Sequence, residues 1–228
     1  MKATGRQRFA LPAIIALAAA LLTVTPGPAS AHGTTIDAPS RNYGCWQRWG
    51  NQFQNPAMQT QDPMCWQAWQ TDTNAMWNWN GLYRENVQGN HQAAIPNGQL
   101  CSAGLTGAGR YRAMDNIGNW QAKNVSRSFT VQLLDQAGHG ADYIRLYVTK
   151  QGFNPLTQAL GWSNLELLAQ VGYTPSAQWT KVTTPFNGFQ MNIPVTANGR
   201  TGRHMVYAVW QASHMDQSFY FCSDVNFV

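Results

Sequence analysis

Ser128-Phe129-Thr130-Val131-Gln132-Leu133 decides the fold. Its apolar residues fall at every second position, the period of a strand with one buried face, and Phe, Val and Thr suit a pleated surface. The alternation returns at Ile144, Leu146 and Val148, at Phe189, Met191 and Ile193, and at Val206, Ala208 and Trp210. It closes the chain at Phe219, Phe221, Ser223, Val225 and Phe227. Clusters of Gly, Pro, Asn and Asp separate these stretches, as turns separate strands. Several short strands with turn signals between them predict an all-β fold, an immunoglobulin/fibronectin III-like antiparallel β-sandwich.

Upstream of Ser128 the composition changes. From His32 to about Arg127 the chain is rich in Trp, Asn, Gln, Gly and Pro. Only short helical turns can be placed there, around Cys45 to Asn51, Met64 to Trp69 and Ala75 to Tyr83. This N-terminal half reads as a long insertion of loops and short helices that decorates one end of the sandwich. Long loops held by disulfides and aromatic packing are often binding surfaces. Trp46, Trp49, Trp66 and Trp69 are expected to pack around a disulfide rather than face solvent.

Residues 1–31 read as a secretory signal peptide: Lys2, Arg6 and Arg8, an apolar run from Leu11 to Val24, then the small-x-small signal Ala29-Ser30-Ala31. Cleavage after Ala31 would leave one domain of 197 residues, 32–228, secreted and beginning at His32. Three of the 15 Lys+Arg and none of the 10 Asp+Glu lie in the leader, so residues 32–228 carry a formal charge of only +2. With no Lys/Arg cluster after residue 31, nucleic acid is a poor partner. The leader run is too short to span a bilayer and no later run approaches ~20 apolar residues, which predicts a soluble extracellular monomer with no membrane partner.

Cys45, Cys65, Cys101 and Cys222 form an even set in an exported chain, where disulfides are the default, and none lies in a C-x-x-C zinc pair. Three pairings are open. Cys45–Cys65, closing a local loop, and Cys101–Cys222, tying a middle segment to the last strand, are favoured. The longer loop would contribute the more in the chain-entropy treatment.

Of five histidines, two carry chemistry. His32, once first in the chain, offers a metal its α-amine and its imidazole. His139 sits in Gln136-Ala137-Gly138-His139-Gly140-Ala141-Asp142, the turn between the strand ending near Leu134 and the one beginning at Tyr143. His204 opens a strand, and His91 and His214 lie in polar loops, where solvation or a local hydrogen bond accounts for them.

Four motifs stand in order: an N-terminal His; His32-Gly33-x-x-x-x-x-Pro39-Ser40-Arg41; Ala137-x-His139 leading into Tyr143-Ile144-Arg145-Leu146-Tyr147-Val148-Thr149-Lys150; and Phe219-Tyr220-x-x-x-Asp224-Val225-Asn226. Together they resemble the bacterial lytic polysaccharide monooxygenases, family 10 of the auxiliary-activity class, which includes proteins called chitin-binding protein 21-like. The match covers essentially all of residues 32–228. The resemblance implies a copper ion in a histidine brace, held by the α-amine and Nδ1 of His32 and Nε2 of His139. Phe219 matches the axial aromatic residue and Ala137 the small residue that crowds the opposite side. Where the family often has a glutamate near the metal, this chain has Asn80, as in the subgroup that oxidises at both carbon 1 and carbon 4; Glu85 is nearby.

The implied reaction reduces copper(II) to copper(I) with an external donor, a small molecule or a protein. Dioxygen or hydrogen peroxide then serves as co-substrate, and hydroxylation beside the glycosidic oxygen breaks the polysaccharide. The substrate would be a crystalline surface, cellulose favoured and chitin as well, lying across a flat face with Trp77 and Asn80 against sugar rings. A non-catalytic carbohydrate-binding protein of similar fold is the alternative. A two-carboxylate hydrolase fits poorly, because the few acids sit in turns such as Asp62-Pro63 and Asp115-Asn116 and no pair stands out.

Overall fold

The computed structural model describes residue 1 and residues 32–228. The expected signal peptide and its Ala29-Ser30-Ala31 site lie outside the described residues. The elements run β1 (Gly33–Asp37), α1 (Arg41–Trp49), α2 (Met58–Gln61), α3 (Pro63–Thr71), α4 (Asn74–Trp77), β2 (Tyr83–Glu85), α5 (His91–Ala94), β3 (Lys123–Val125) and β4 (Ser128–Asp135). They continue with β5 (Tyr143–Thr149), β6 (Leu165–Val171), β7 (Thr180–Val182), β8 (Gly188–Thr196), β9 (Gly202–Gln211) and β10 (Gln217–Phe227). One sheet has the order β1-β4-β8-β7, the other β2-β10-β9-β5-β6, with β3 added beside β10. Every pairing is antiparallel except β3 with β10, and the two sheets pack as a sandwich.

All five alternating stretches are strands: β4, β5, β8, β9 and β10. The last shows why the period survives burial on both faces. Its odd positions meet the other sheet, with Ser223 Oγ donating to Ala38 O at 2.8 Å and Phe227 ringed edge-on to Phe129 at 5.9 Å. Its even positions meet the N-terminal half: Tyr220 bonds His91, Cys222 is bridged to Cys101, and Asp224 pairs with Arg41. Odd positions therefore stay mostly apolar, while even positions carry the cross-links.

The N-terminal half differs from its expected role. It does not merely decorate one end. It supplies β1 to one sheet and β2 and β3 to the other, and Leu82, Ile95, Leu100, Tyr111, Met114 and Trp120 join the common core. The helical turn expected over Ala75 to Tyr83 is only Asn74–Trp77, and Tyr83 opens a strand. β1 hides from a period-2 search because Thr34 and Thr35 are buried by hydrogen bonding rather than by apolarity, Thr34 Oγ1 to Ser40 Oγ at 2.7 Å and Thr35 Oγ1 to Ser223 Oγ at 3.2 Å. Ser40 also caps α1, accepting from Tyr43 N at 3.4 Å.

Two disulfides join Cys45 to Cys65, linking α1 to α3, and Cys101 to Cys222. Trp49 is buried, its indole N–H donating to Asp62 at 2.9 Å, and Trp46, Trp66 and Trp69 are half-buried against the core. Buried Arg41 reaches from the first motif to the last: Nε donates to Asp224 Oδ2 at 2.7 Å, Nη2 to Oδ1 at 3.1 Å, and Nη1 to Met114 O at 2.6 Å. An ion pair this enclosed survives only with its remaining donors satisfied. No helix among the described residues is long and apolar enough to cross a membrane.

Candidate metal centre

β1 and β4 lie antiparallel with Gly33 opposite Asp135, so the residue before one strand and the turn after the other emerge side by side. Gln136 N donates to His32 O at 2.8 Å. This pairing brings His32 and the turn carrying His139 to one end of the sandwich. Gly33 has no space for a side chain, since a Cβ there would stand 2.6 Å from Leu134 O and 2.5 Å from the Trp210 ring. The His-Gly pair is thus a steric requirement of entering the sheet at this point.

The N-terminal half completes this end. Asn80 O accepts from Gly33 N at 3.0 Å, and Asn80 Nδ2 donates to Gln136 Oε1 at 2.7 Å. Asn80 therefore fixes both histidine-bearing segments. His32, Asn78, Asn80, Tyr83 and Arg110 line a cavity of about 230 Å³. Trp77, at the end of α4, is 41% exposed and stands edge-on to Phe53 at 5.5 Å. Glu85 lies on β2, exposed, its carboxylate taking a 3.4 Å bond from Gln217.

The His139 turn is wound about one buried carboxylate. Asp135 accepts from the backbone N–H groups of Ala137 at 3.0 Å, Gly138 at 3.0 Å, His139, and Gly140 at 3.1 Å. Gly138 and Gly140 take φ of 73° and 66°, which lets the backbone curl so tightly. Asp135 Oδ1 also lies 2.9 Å from His139 Nδ1, and since a carboxylate oxygen only accepts, a hydrogen bond there takes its proton from Nδ1. Ser213 Oγ donates to His139 O at 2.5 Å, and Trp210 Nε1 donates to Gly140 O at 2.9 Å.

The rings of His139 and His214 are in contact, centroids 4.0 Å apart and planes tilted by 32°. The polar-loop residue His214 thus belongs to this end of the molecule. Its pKa is lowered, first by partial burial and then by the neighbouring His139, with Asp135 opposing. Phe219 is fully buried, stacked on Trp210 at 4.4 Å and 5.4 Å from Tyr83. Ala137 is exposed on the turn.

The remaining histidines hold the fold. His91 opens α5 and is buried, its nitrogens bonded to the Tyr220 hydroxyl at 2.8 Å and the Tyr143 hydroxyl at 2.6 Å. Burial pushes its pKa down to about 4, with Arg145 reinforcing and Asp216 opposing. His204, in β9, is also buried and bonds Thr149 Oγ1 at 2.9 Å and Gln151 Oε1 at 3.0 Å.

No group of three or more His, Cys, Asp or Glu among the described residues converges as a metal cage. A metal at this end would take nitrogen donors from His32 and His139, a set that suits copper. Residues 32–225 match the family described as lytic polysaccharide mono-oxygenase, cellulose-degrading. The chain belongs to this family. Among solved lytic polysaccharide mono-oxygenases it is 63% identical to LPMO10B of Micromonospora aurantiaca, with a TM-score of 0.84 over 86% of this chain and all of that one. It is 26% identical to the cellulose-active CelS2, solved in complex with copper, with a TM-score of 0.71 over 86% of this chain and all of that one. It is 36% identical over 206 residues to the chitin-binding protein CbpD of Pseudomonas aeruginosa, covering 89% of this chain and 49% of CbpD. The chain therefore spans about half the length of that relative.

Proposed function

We propose that the chain, cut after Ala31 and secreted, is a copper enzyme that breaks glycosidic bonds of crystalline polysaccharide oxidatively. The observation that carries this reading is the β1–β4 pairing, which sets His32 beside the turn that carries His139. The site residues are His32, through its α-amine and Nδ1, and His139, through Nε2. Copper bound there would supply one-electron redox chemistry and oxygen activation, which no side chain of the protein can supply.

The chain's own residues position, exclude and present. Asn80 and Gln136 fix the spacing of the two histidine segments. Phe219, which is locked by Trp210, and Ala137 have no side-chain donor atom, so neither would add a ligand to a copper ion held by the two histidines. Trp77, backed by Phe53, supplies a flat apolar face for a sugar ring, with Asn78 and Asn80 as amide partners. An external donor and dioxygen or hydrogen peroxide complete the reaction.

Cellulose is the proposed polymer, with attack at carbon 1 and carbon 4. The family description and CelS2 favour it. The likeness to the chitin-binding protein CbpD favours a second reading, a protein that binds chitin, and for this chain that reading is binding without cleavage. Copper-loaded mature chain, given a reductant and each polymer in turn, should release oligosaccharides with oxidised ends from cellulose, identified by mass. His139→Ala should release none while remaining folded. Retention on either polymer with no oxidised product from the wild type would establish the binding reading instead.

A further inference from the structure

Asp135 does more than a turn requires. Four backbone N–H groups, from Ala137 to Gly140, would suffice to wind the segment around its carboxylate. The fifth donor, His139 Nδ1 at 2.9 Å, is additional to the turn and points at function. Asp135 is fully buried and acts as an acceptor in all five contacts, so it has no freedom to swing aside. It is also the last residue of β4 and the strand partner of Gly33, which ties it directly to the segment that begins at His32.

We propose that Asp135 is a positioning residue of the metal centre. It holds His139 as the Nδ1–H tautomer with Nε2 turned to the metal, and its negative charge strengthens that nitrogen as a donor. This rests on the reading that His32 and His139 hold copper.

A half-turn of the imidazole would put a C–H against the buried carboxylate and lose the Nδ1–H bond, while His214 packs against the ring at 4.0 Å. The ligand is thereby oriented before any metal arrives. A carboxylate behind an imidazole makes the ring a better donor, and removal of such a partner weakens metal binding by about 10- to 100-fold. The added electron density favours copper(II) over copper(I). For a one-electron couple, each tenfold by which copper(II) binding falls more than copper(I) binding raises the potential by about 59 mV.

Two measurements test this on the mature chain starting at His32. First, ¹⁵N NMR of the metal-free wild type, detecting the imidazole nitrogens, should find His139 protonated at Nδ1 and bare at Nε2; the opposite tautomer would overturn the proposal. Second, Asp135→Asn keeps one of the two acceptor oxygens of the turn and removes the charge. Its copper(II) affinity should fall about 10- to 100-fold and its midpoint potential should rise, with near-ultraviolet circular dichroism unchanged. A folded Asp135→Asn protein with wild-type affinity and potential would overturn the proposal. Should that variant not fold, the wild-type tautomer decides alone. A wild type that binds no copper, yet shows the Nδ1–H tautomer, would instead sink the functional reading while leaving the Asp135–His139 geometry standing.

Discussion

Between residues 128 and 228 the chain buries apolar surface by repeating one operation, the pairing of alternating strands. Between residues 32 and 127 it has short elements and long connections, and it ties them to β10 with individual long-range links. Those links are the Cys101–Cys222 disulfide, the Arg41–Asp224 pair and the His91–Tyr220 bond. The strand half is a scaffold whose stability is distributed. The loop half adds short strands and core side chains to that scaffold and is cross-linked to it at these single points. A site assembled with one histidine from each half inherits both properties.

The contrast can be broken link by link. The Cys101–Cys222 bridge closes a separation of 121 residues, and its removal by paired Ser substitution should cost about 5 kcal/mol in the chain-entropy treatment. Cys45–Cys65, separated by 20, should cost about 3 kcal/mol. Denaturant unfolding of the two double variants checks the ranking; equal losses would show that loop length is not what sets them. Arg41→Met leaves Asp224 buried without its partner, which should cost about 3 to 5 kcal/mol, and a smaller loss on replacing both residues by apolar ones would identify the orphaned charge as the cause.

His91 gives the same contrast a pH dependence. The folded group takes a proton only near pH 4, the unfolded one near its ordinary 6.5, so between these values the unfolded chain binds more protons. Stability is complete above pH 6.5 and falls as the pH drops toward 4, by up to about 3 kcal/mol from this group. Asp115 works the other way. Burial, opposed by hydrogen bonds from Ser102 and Cys101, raises its pKa to about 6, so its contribution is present below its ordinary value and lost as pH rises through 6. His91→Gln should therefore flatten the acid side of the stability profile; an unchanged slope would contradict it. The smallest expected effect on stability is at Trp77, exposed on the rim. Trp77→Ala should move the unfolding free energy by less than about 0.5 kcal/mol while weakening retention on cellulose, whereas a large stability loss would place this ring in the fold rather than at the substrate.

The difference between the halves also governs what the sequence reveals. β4, β5, β8, β9 and β10 are readable because burial of a face imposes a period. β1 is not, because Thr34 and Thr35 are buried through hydroxyl partners, and β6 is an edge strand whose run Leu165-Glu166-Leu167-Leu168-Ala169-Gln170-Val171 loses alternation beside a register shift at Leu146/Tyr147. In the loop half, Tyr83 reads as the end of a helical turn because its strand exists only by pairing with Phe219. At the site, His32 and His139 stand out by motif and by their places in the chain. Asp135 does not, since its partners are mostly backbone N–H groups, which leave no residue pattern. Its clue is the acid four residues before a histidine in a glycine-containing turn. His214 is hidden for a different reason: the β9–β10 turn that carries it meets the His139 turn only in the folded sandwich.

Signal cleavage should be the step that completes the metal centre, because it frees the α-amine of His32. Calorimetric copper(II) titration of two forms of the chain, one beginning at His32 and one carrying a single additional Ala before it, tests this most directly. The form beginning at His32 should bind one ion tightly, and the extended form should lose at least tenfold in affinity. Equal affinity in the two forms would contradict a centre built from the amine of His32 together with His139.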